Sequence, residues 1–164
     1  MKTSRRIIPF VLFLLFNIAL GQQARAAGDI ELNMVVHKEI VTIDAQGKKT
    51  VTLVEPASVI PDDMIVYTTH YHNKGKVAAE SIVITNPIPK DTAYVDGSGV
   101  IENTTLSYSV DGGKKFDVPE HLTITENDGK RRPATANDYS NIRWTLKSIA
   151  PDERGSVSFR ARVR

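Results

Sequence analysis

Apolar and polar side chains alternate along most of this chain, and this period of two limits the fold more than any other feature of the sequence. Ile142, Trp144 and Leu146 alternate with polar residues, as do Val157 and Phe159 further along. Because successive side chains of a β-strand point to opposite faces, the pattern predicts strands with one buried and one wet face. The predicted strand segments are 29–36, 48–55, 64–72, 80–89, 106–110, 121–125, 141–148 and 156–164.

Turn-forming residues separate these segments. Gln46-Gly47, Asn73-Lys74-Gly75 and Asp111-Gly112-Gly113 supply residue types that accept the positive φ angles of hairpin turns. No segment after residue 26 has a sustained helical period. Short strands with frequent turns predict an all-β fold, an antiparallel β-sandwich, with a closed barrel as the alternative.

The first 26 residues have the pattern of a secretory signal peptide. The basic start MKTSRR precedes the apolar run IIPFVLFLLFNIALG, and Ala24-Arg25-Ala26 forms an A-x-A cleavage site before Ala27. A retained membrane anchor is the alternative, but Pro9 and Asn17 interrupt the short apolar run. We therefore expect an exported protein, periplasmic or extracellular, with no membrane span in the mature chain. Export by the general or the twin-arginine route stays open.

Cleavage changes the electrostatic argument. The whole chain has a formal net charge of +2, but the segment 1–26 carries four basic residues and no acidic one, so the mature chain has a net charge of −2. This balance gives no support to nucleic-acid binding. The sequence contains no cysteine, so the core must hold without disulfides.

One long segment resembles a known family. The sequence PDDMIVYTTHYHNKGKVAAESIVITNPIPKDTAYVDGS, residues 61–98, is similar to the DUF11 or conserved-repeat domain of bacterial and archaeal surface proteins. The final segment IRWTLKSIAPDERGSVSFRARV also resembles the end of that module. The matching motifs are Pro61-Asp62-Asp63, Asn73-Lys74-Gly75, Asn86-Pro87-Ile88-Pro89, Tyr94 and Gly97-Ser98.

The resemblance implies an immunoglobulin-like β-sandwich in the cell envelope with no known chemistry. It covers residues 59–164, so residues 27–58 are predicted as an N-terminal β-hairpin extension packed on the sandwich. The function that follows is that of an exported, non-catalytic protein, acting in surface recognition or as a structural component. Its oligomeric state stays open.

A histidine pair is the first candidate site. On a strand, His70 and His72 share one face and could reach the same metal ion, which gives a periplasmic metal-binding protein as an alternative function. They lie on the face opposite Tyr67, Thr69 and Tyr71, and no further ligand is fixed by local spacing. The sequence favours a solvent-facing pair over a metal site.

Basic residues form the second candidate site. Arg160 and Arg162 lie on the wet face of the last strand, and Arg143 would extend this basic face if its strand pairs with the last one. The run Lys130-Arg131-Arg132 lies in the polar segment 126–140, which is predicted to be the least structured part of the mature chain. These residues are candidates to contact an envelope protein or an anionic polysaccharide; the alternative is a solvated face.

A third candidate is the sequence SVDGGKKF, residues 109–116, which is similar to the Asp-box hairpin of sialidase propellers. Asp111 is expected to accept backbone hydrogen bonds within the turn, and Phe116 to anchor the hairpin in the core. This likeness gives a carbohydrate-binding module as a further alternative. The sequence has no nucleophile elbow, zinc-protease motif or phosphate loop, so no catalytic residue and no cofactor are predicted.

Overall fold

The computed structural model describes residues 29–164, and this part of the chain is all-β with antiparallel strand pairing throughout. The predicted signal peptide lies outside the described residues. Two short 3₁₀ turns, Pro119–His121 and Ala136–Asp138, interrupt the strands. The strands are β1 (Ile30–Ile43), β2 (Lys49–Val54), β3 (Met64–Asn73), β4 (Ala79–Pro87), β5 (Thr92–Tyr94), β6 (Thr104–Ser109), β7 (Thr123–Thr125), β8 (Arg131–Pro133), β9 (Asn141–Ile149) and β10 (Arg154–Val163).

The strands form two large sheets and one small one. Sheet A has the order β2-β1-β3-β10-β5, and sheet B has the order β4-β9-β6. The strands β7 and β8 form a separate two-stranded sheet. The strands β9 and β10, which follow each other along the chain, therefore belong to different sheets.

Sheets A and B pack face to face, as a β-sandwich requires. The ring of Trp144 on β9 lies 6.3 Å from that of Phe159 on β10, and both side chains are buried. The amide of Asn86 on β4 donates to the hydroxyl of Thr69 on β3 at 2.7 Å. The indole N–H of Trp144 donates to the carbonyl of Gly99 at 2.8 Å, so the largest core side chain is also satisfied as a donor. The predicted core position of Trp144 is confirmed.

The alternation seen in the sequence is confirmed in the last strand. Val157, Phe159 and Ala161 of β10 are at most 1 % exposed, whereas Arg160 and Arg162, at the alternate positions, are exposed. The inner face of sheet A thus fills the core at β3 and β10, whereas Leu32 and Met34, on the same face of β1, are about half exposed. The other face of sheet A, called here the outer face, meets solvent.

Sheet A has five strands and sheet B has three, and the long strand β1 pairs with two neighbours along different parts of its length. Residues 30–39 of β1 pair with β3, and residues 38–43 pair with β2. The first residue of β3, Met64, lies opposite Glu39, so the rest of the β1–β2 hairpin extends past β3. Residues 40–43 and 49–54, called here the ribbon, form this projecting two-stranded element.

The segment 126–140, predicted to be the least structured part of the mature chain, has more regular structure than expected. It contains β8 and the 3₁₀ turn Ala136–Asp138, and β8 pairs with β7. The turn is closed by a capping box between Thr135 and Asp138. A polar composition suggested a loop, but hydrogen bonds among these polar side chains order the segment.

Candidate recognition surface

The outer face of sheet A brings most of the candidate residues together. His70 and His72 lie on this face of β3, with Asn33 and Glu31 opposite them on β1. On the other side of β3, Arg154 lies opposite His72. The histidines therefore face away from the core, as the alternation of 64–72 predicts.

The two histidines differ in their surroundings. His70 is exposed, whereas the side chain of His72 is 13 % exposed and its Nε2–H donates to the Asp152 carboxylate at 2.8 Å. This hydrogen bond holds the pKa of Asp152 below its usual range. A depression of about 380 Å³ opens beside the pair, lined in part by Glu31 and Arg154.

The acidic side chain that lines the depression is already paired with a lysine. The Glu31 carboxylate lies 2.8 Å from the ammonium of Lys74, and this contact lowers the pKa of Glu31. Among residues 29–164, no group of three or more His, Cys, Asp or Glu side chains has an arrangement that could hold a metal ion. Metal binding by His70 and His72 stays the alternative to the favoured solvent-facing pair, and no such group of three or more ligands includes them among residues 29–164.

The condition under which Arg143 would extend the basic face of the last strand, pairing of the two strands, is not met. Arg143 lies on β9 in sheet B, so it does not extend the outer face of sheet A. Its guanidinium lies 3.5 Å from the ring centre of Phe116, a cation–π contact. Phe116 is thus half-buried under an arginine and does not anchor the hairpin in the core, whereas Asp111 accepts the expected backbone bonds from Lys114 and Lys115.

Arg160 reaches an acidic side chain across the sheet. Its guanidinium lies 3.4 Å from one carboxylate oxygen of Glu39, whose side chain is only 10 % exposed. The other oxygen of Glu39 is buried without a hydrogen-bond partner among the described residues. Arg160 therefore compensates a largely buried charge, and Arg162, two residues further, is exposed on the same face.

The run Lys130-Arg131-Arg132 is held within its own segment. Arg132 donates two hydrogen bonds to Asp138, at 2.7 and 2.8 Å, and one to Glu126 at 3.0 Å. The guanidinium holds the pKa of Asp138 well below its usual range, and the two carboxylates raise the pKa of Arg132. Lys130 pairs with Asp128, and Arg131 donates to a threonine of β7. Arg132 thus stabilises the β7–β8 segment, whereas Lys130 and Arg131 are exposed, and the partner of Arg131 is a neutral hydroxyl. Their proposed role as contact residues stays a prediction.

The sequence did not single out the feature that is most unusual in the structure, an apolar surface on the ribbon. Val41, Ile43, Val51 and Leu53 lie on its outer face and are 53, 62, 54 and 48 % exposed. The available signal was that Ile40 and Val41 are both apolar at adjacent positions, with Ile43 following, which a strand with one wet face does not need. Contiguous exposed apolar side chains are typical of surfaces that contact a partner.

Comparisons with protein-family models, with curated proteins and with solved structures find no match for this chain. The resemblance to the DUF11 module therefore stays a prediction. Within the described residues, no helix has the length and apolar character that a membrane span requires.

Proposed function

We propose that this chain is an exported, non-catalytic, immunoglobulin-like β-sandwich of the cell envelope that works by protein recognition through the ribbon of sheet A. One observation carries the proposal: four apolar side chains on one side of the ribbon are about half exposed. The monomer leaves this surface in water, although burying the still exposed half of each side chain would contribute roughly 0.7–1.5 kcal/mol, half the value for complete burial. A partner that covers the ribbon recovers this free energy.

The charges of the molecule support an apolar contact over a basic one. Arg132 and Arg160, which the sequence suggested as contact residues, are engaged by carboxylates of the same chain. To bind an anionic polysaccharide, Arg160 would have to leave the Glu39 carboxylate, which is only 10 % exposed and would lose its compensating charge. An envelope protein with an apolar strand or groove fits the ribbon better than a polysaccharide does.

A photocrosslinker placed on the ribbon tests this function. p-Benzoylphenylalanine at Ile43, which is 62 % exposed, should give protein adducts on irradiation of cells that export the chain. The matched control carries the crosslinker at Val83, an exposed position on the outer side of sheet B that is 50 % exposed. Equal adducts at both positions, or none at Ile43, would count against recognition through the ribbon.

A further inference from the structure

The strand β2 has a free backbone edge. In the described part of the chain, its neighbour in sheet A is β1, and β2 stands at the end of the strand order. The N–H of Asp44 donates to the carbonyl of Lys48, so this opposite pair is hydrogen-bonded. Hydrogen-bonded and non-bonded pairs alternate along an antiparallel ladder. Lys49, Val51 and Leu53 therefore turn their backbone groups away from β1, towards the free edge.

Natural proteins protect such edges. A proline, a bulge, an inward-pointing charge or a very short strand prevents pairing with another chain. The six residues of β2 read KTVTLV and are all exposed. They include none of these devices, and the one charged side chain, also a common edge protection, is Lys49 at the start of the strand. Pro56 follows only after the strand has ended. The edge is open to pairing with another strand.

The sequence around β2 is complementary to itself in the antiparallel direction. Reversal about Thr52 brings Lys49 opposite Glu55 and Val51 opposite Leu53. Lys49, Val51 and Leu53 share the outer face, and the same alternation continued by one residue places Glu55 there, so opposite charges and apolar side chains would meet in pairs. Thr50 and Val54, both β-branched, meet on the inner face.

We propose that two copies of this chain associate through their β2 strands, antiparallel and centred on Thr52, to form one continuous sheet across the dimer. This inference rests on the proposed function and names the partner as a second copy, which pairs with the β2 edge of the ribbon. The contact brings Val51 and Leu53 of the two copies together, whereas Val41 and Ile43 lie on β1, one strand away from it. The two-fold axis runs through the Thr52 pair, and each Lys49 faces Glu55 of the other copy. The carbonyl of Glu55 turns to accept from Ala57, which ends the ladder after this pair.

Neighbouring registers fit less well. Pairing centred on Val51 places Lys49 opposite Leu53, and pairing centred on Leu53 places Glu55 opposite Val51. Both registers oppose a charge to an apolar side chain. A register shifted by one residue would turn outward-pointing backbone groups of one copy towards inward-pointing ones of the other. The charges thus select the register centred on Thr52.

A single cysteine tests the register, because the native chain contains none. Thr52 turns its backbone groups towards β1, so the Thr52 pair of the dimer is not hydrogen-bonded, and the Cα atoms of such a pair are about 4.5 Å apart. Thr52→Cys in the full chain should therefore form an intermolecular disulfide on mild oxidation. Leu53→Cys is the matched control. Its two copies would be offset by two residues along the strands, roughly 8 Å apart, which is beyond the reach of a disulfide.

Charge exchange tests the same register without a covalent bond. Lys49→Glu should raise the dimer dissociation constant about tenfold in sedimentation equilibrium, because two like-charged pairs replace two opposite ones. Combining it with Glu55→Lys should restore the native value. Lys147→Glu, an exposed change on sheet B with the same change in net charge, should leave dimerisation unaltered.

The outcomes separate this inference from the proposed function. Three results would overturn pairing through β2. They are a dimer dissociation constant that Lys49→Glu does not change, equal disulfide yields from the two cysteine variants, and a chain that stays monomeric at every concentration. If the crosslinker at Ile43 then captures a different envelope protein, recognition through the ribbon stands and the second copy is excluded. If that position captures nothing, both proposals fail.

Discussion

Asp138 shows how one carboxylate can order a polar segment. It accepts two hydrogen bonds from Arg132 and two from Thr135, from the backbone N–H and the hydroxyl, each at 2.7 or 2.8 Å. We expect Asp138→Ala to lower the free energy of unfolding by about 1–2 kcal/mol at pH 7, the lower range for charged hydrogen bonds because Arg132 is partly solvated. Urea unfolding measures this loss.

The effect should depend on pH with a defined sign. The folded pKa of Asp138 lies below its unfolded value, so its stabilisation is fully present above about pH 4 and is lost as pH falls towards the folded pKa. The difference between the native chain and Asp138→Ala should therefore shrink in acid. Glu120→Ala, which removes an exposed carboxylate, is the control. A difference that grows below pH 4 would contradict the assignment.

Arg160 and Arg162 should respond differently to the same change, although both point outward from β10. Arg160→Glu places a second carboxylate beside Glu39, whose side chain is 10 % exposed, and should destabilise the fold by about 1–3 kcal/mol. Arg162→Glu should change stability by less than about 0.5 kcal/mol, as is usual for exposed sites. Thermal unfolding of both variants at equal ionic strength decides the matter. Equal losses would show that Glu39 does not depend on Arg160.

Ion pairs between distant strands, such as that of Arg160 with Glu39, could not be predicted from the sequence. The alternation of polar and apolar residues correctly assigned Trp144 and Phe159 to the core, because facing within a strand follows from local spacing. The partner of Arg160 lies more than a hundred positions away in the chain, on β1. No local pattern indicates that contact, so the sequence could not show that Arg160 has a partner within the chain.

At the level of elements, long strands were predictable and their order was not. All eight predicted segments contain a strand, whereas the three-residue strands β5 and β8 are too short to show a period. The strands β9 and β10 are consecutive, and sequential strands often pair, yet they lie in different sheets. For this reason Arg143 does not extend the basic face of the last strand.

The ladder between β3 and β10 depends on a glycine. Gly155 lies opposite Tyr71, and a Cβ at this position would overlap the tyrosine ring. We expect Gly155→Ala to cost about 1–3 kcal/mol of stability, measured by urea unfolding, because the ring has to move. Ser156→Ala, at the exposed neighbouring position, should be close to neutral.

A double-mutant cycle identifies the cause. If the clash with Tyr71 is responsible, Gly155→Ala should cost less in a Tyr71→Ala background than in the native chain. Additive effects would mean that the glycine is required for some other property of β10.

For the whole molecule, stability and recognition lie in different regions. Trp144, Phe159 and their buried neighbours lie between sheets A and B, and the core has no disulfide to support it. The ribbon extends past β3, and its apolar outer side chains are about half exposed. Changes to the ribbon are therefore expected to affect association while the fold persists, which makes the dimer experiments interpretable.

The whole chain also carries a prediction about its processing. If residues 1–26 direct export, the purified protein should begin at Ala27, and its net charge should be −2 in place of the +2 of the full sequence. Intact-mass measurement of the exported protein identifies the first residue. Ala26→Leu places a large side chain next to the cleavage site and should leave the precursor uncut, whereas Gln22→Ala should be cleaved normally. An exported product that still begins at Met1 would refute cleavage and favour a retained anchor.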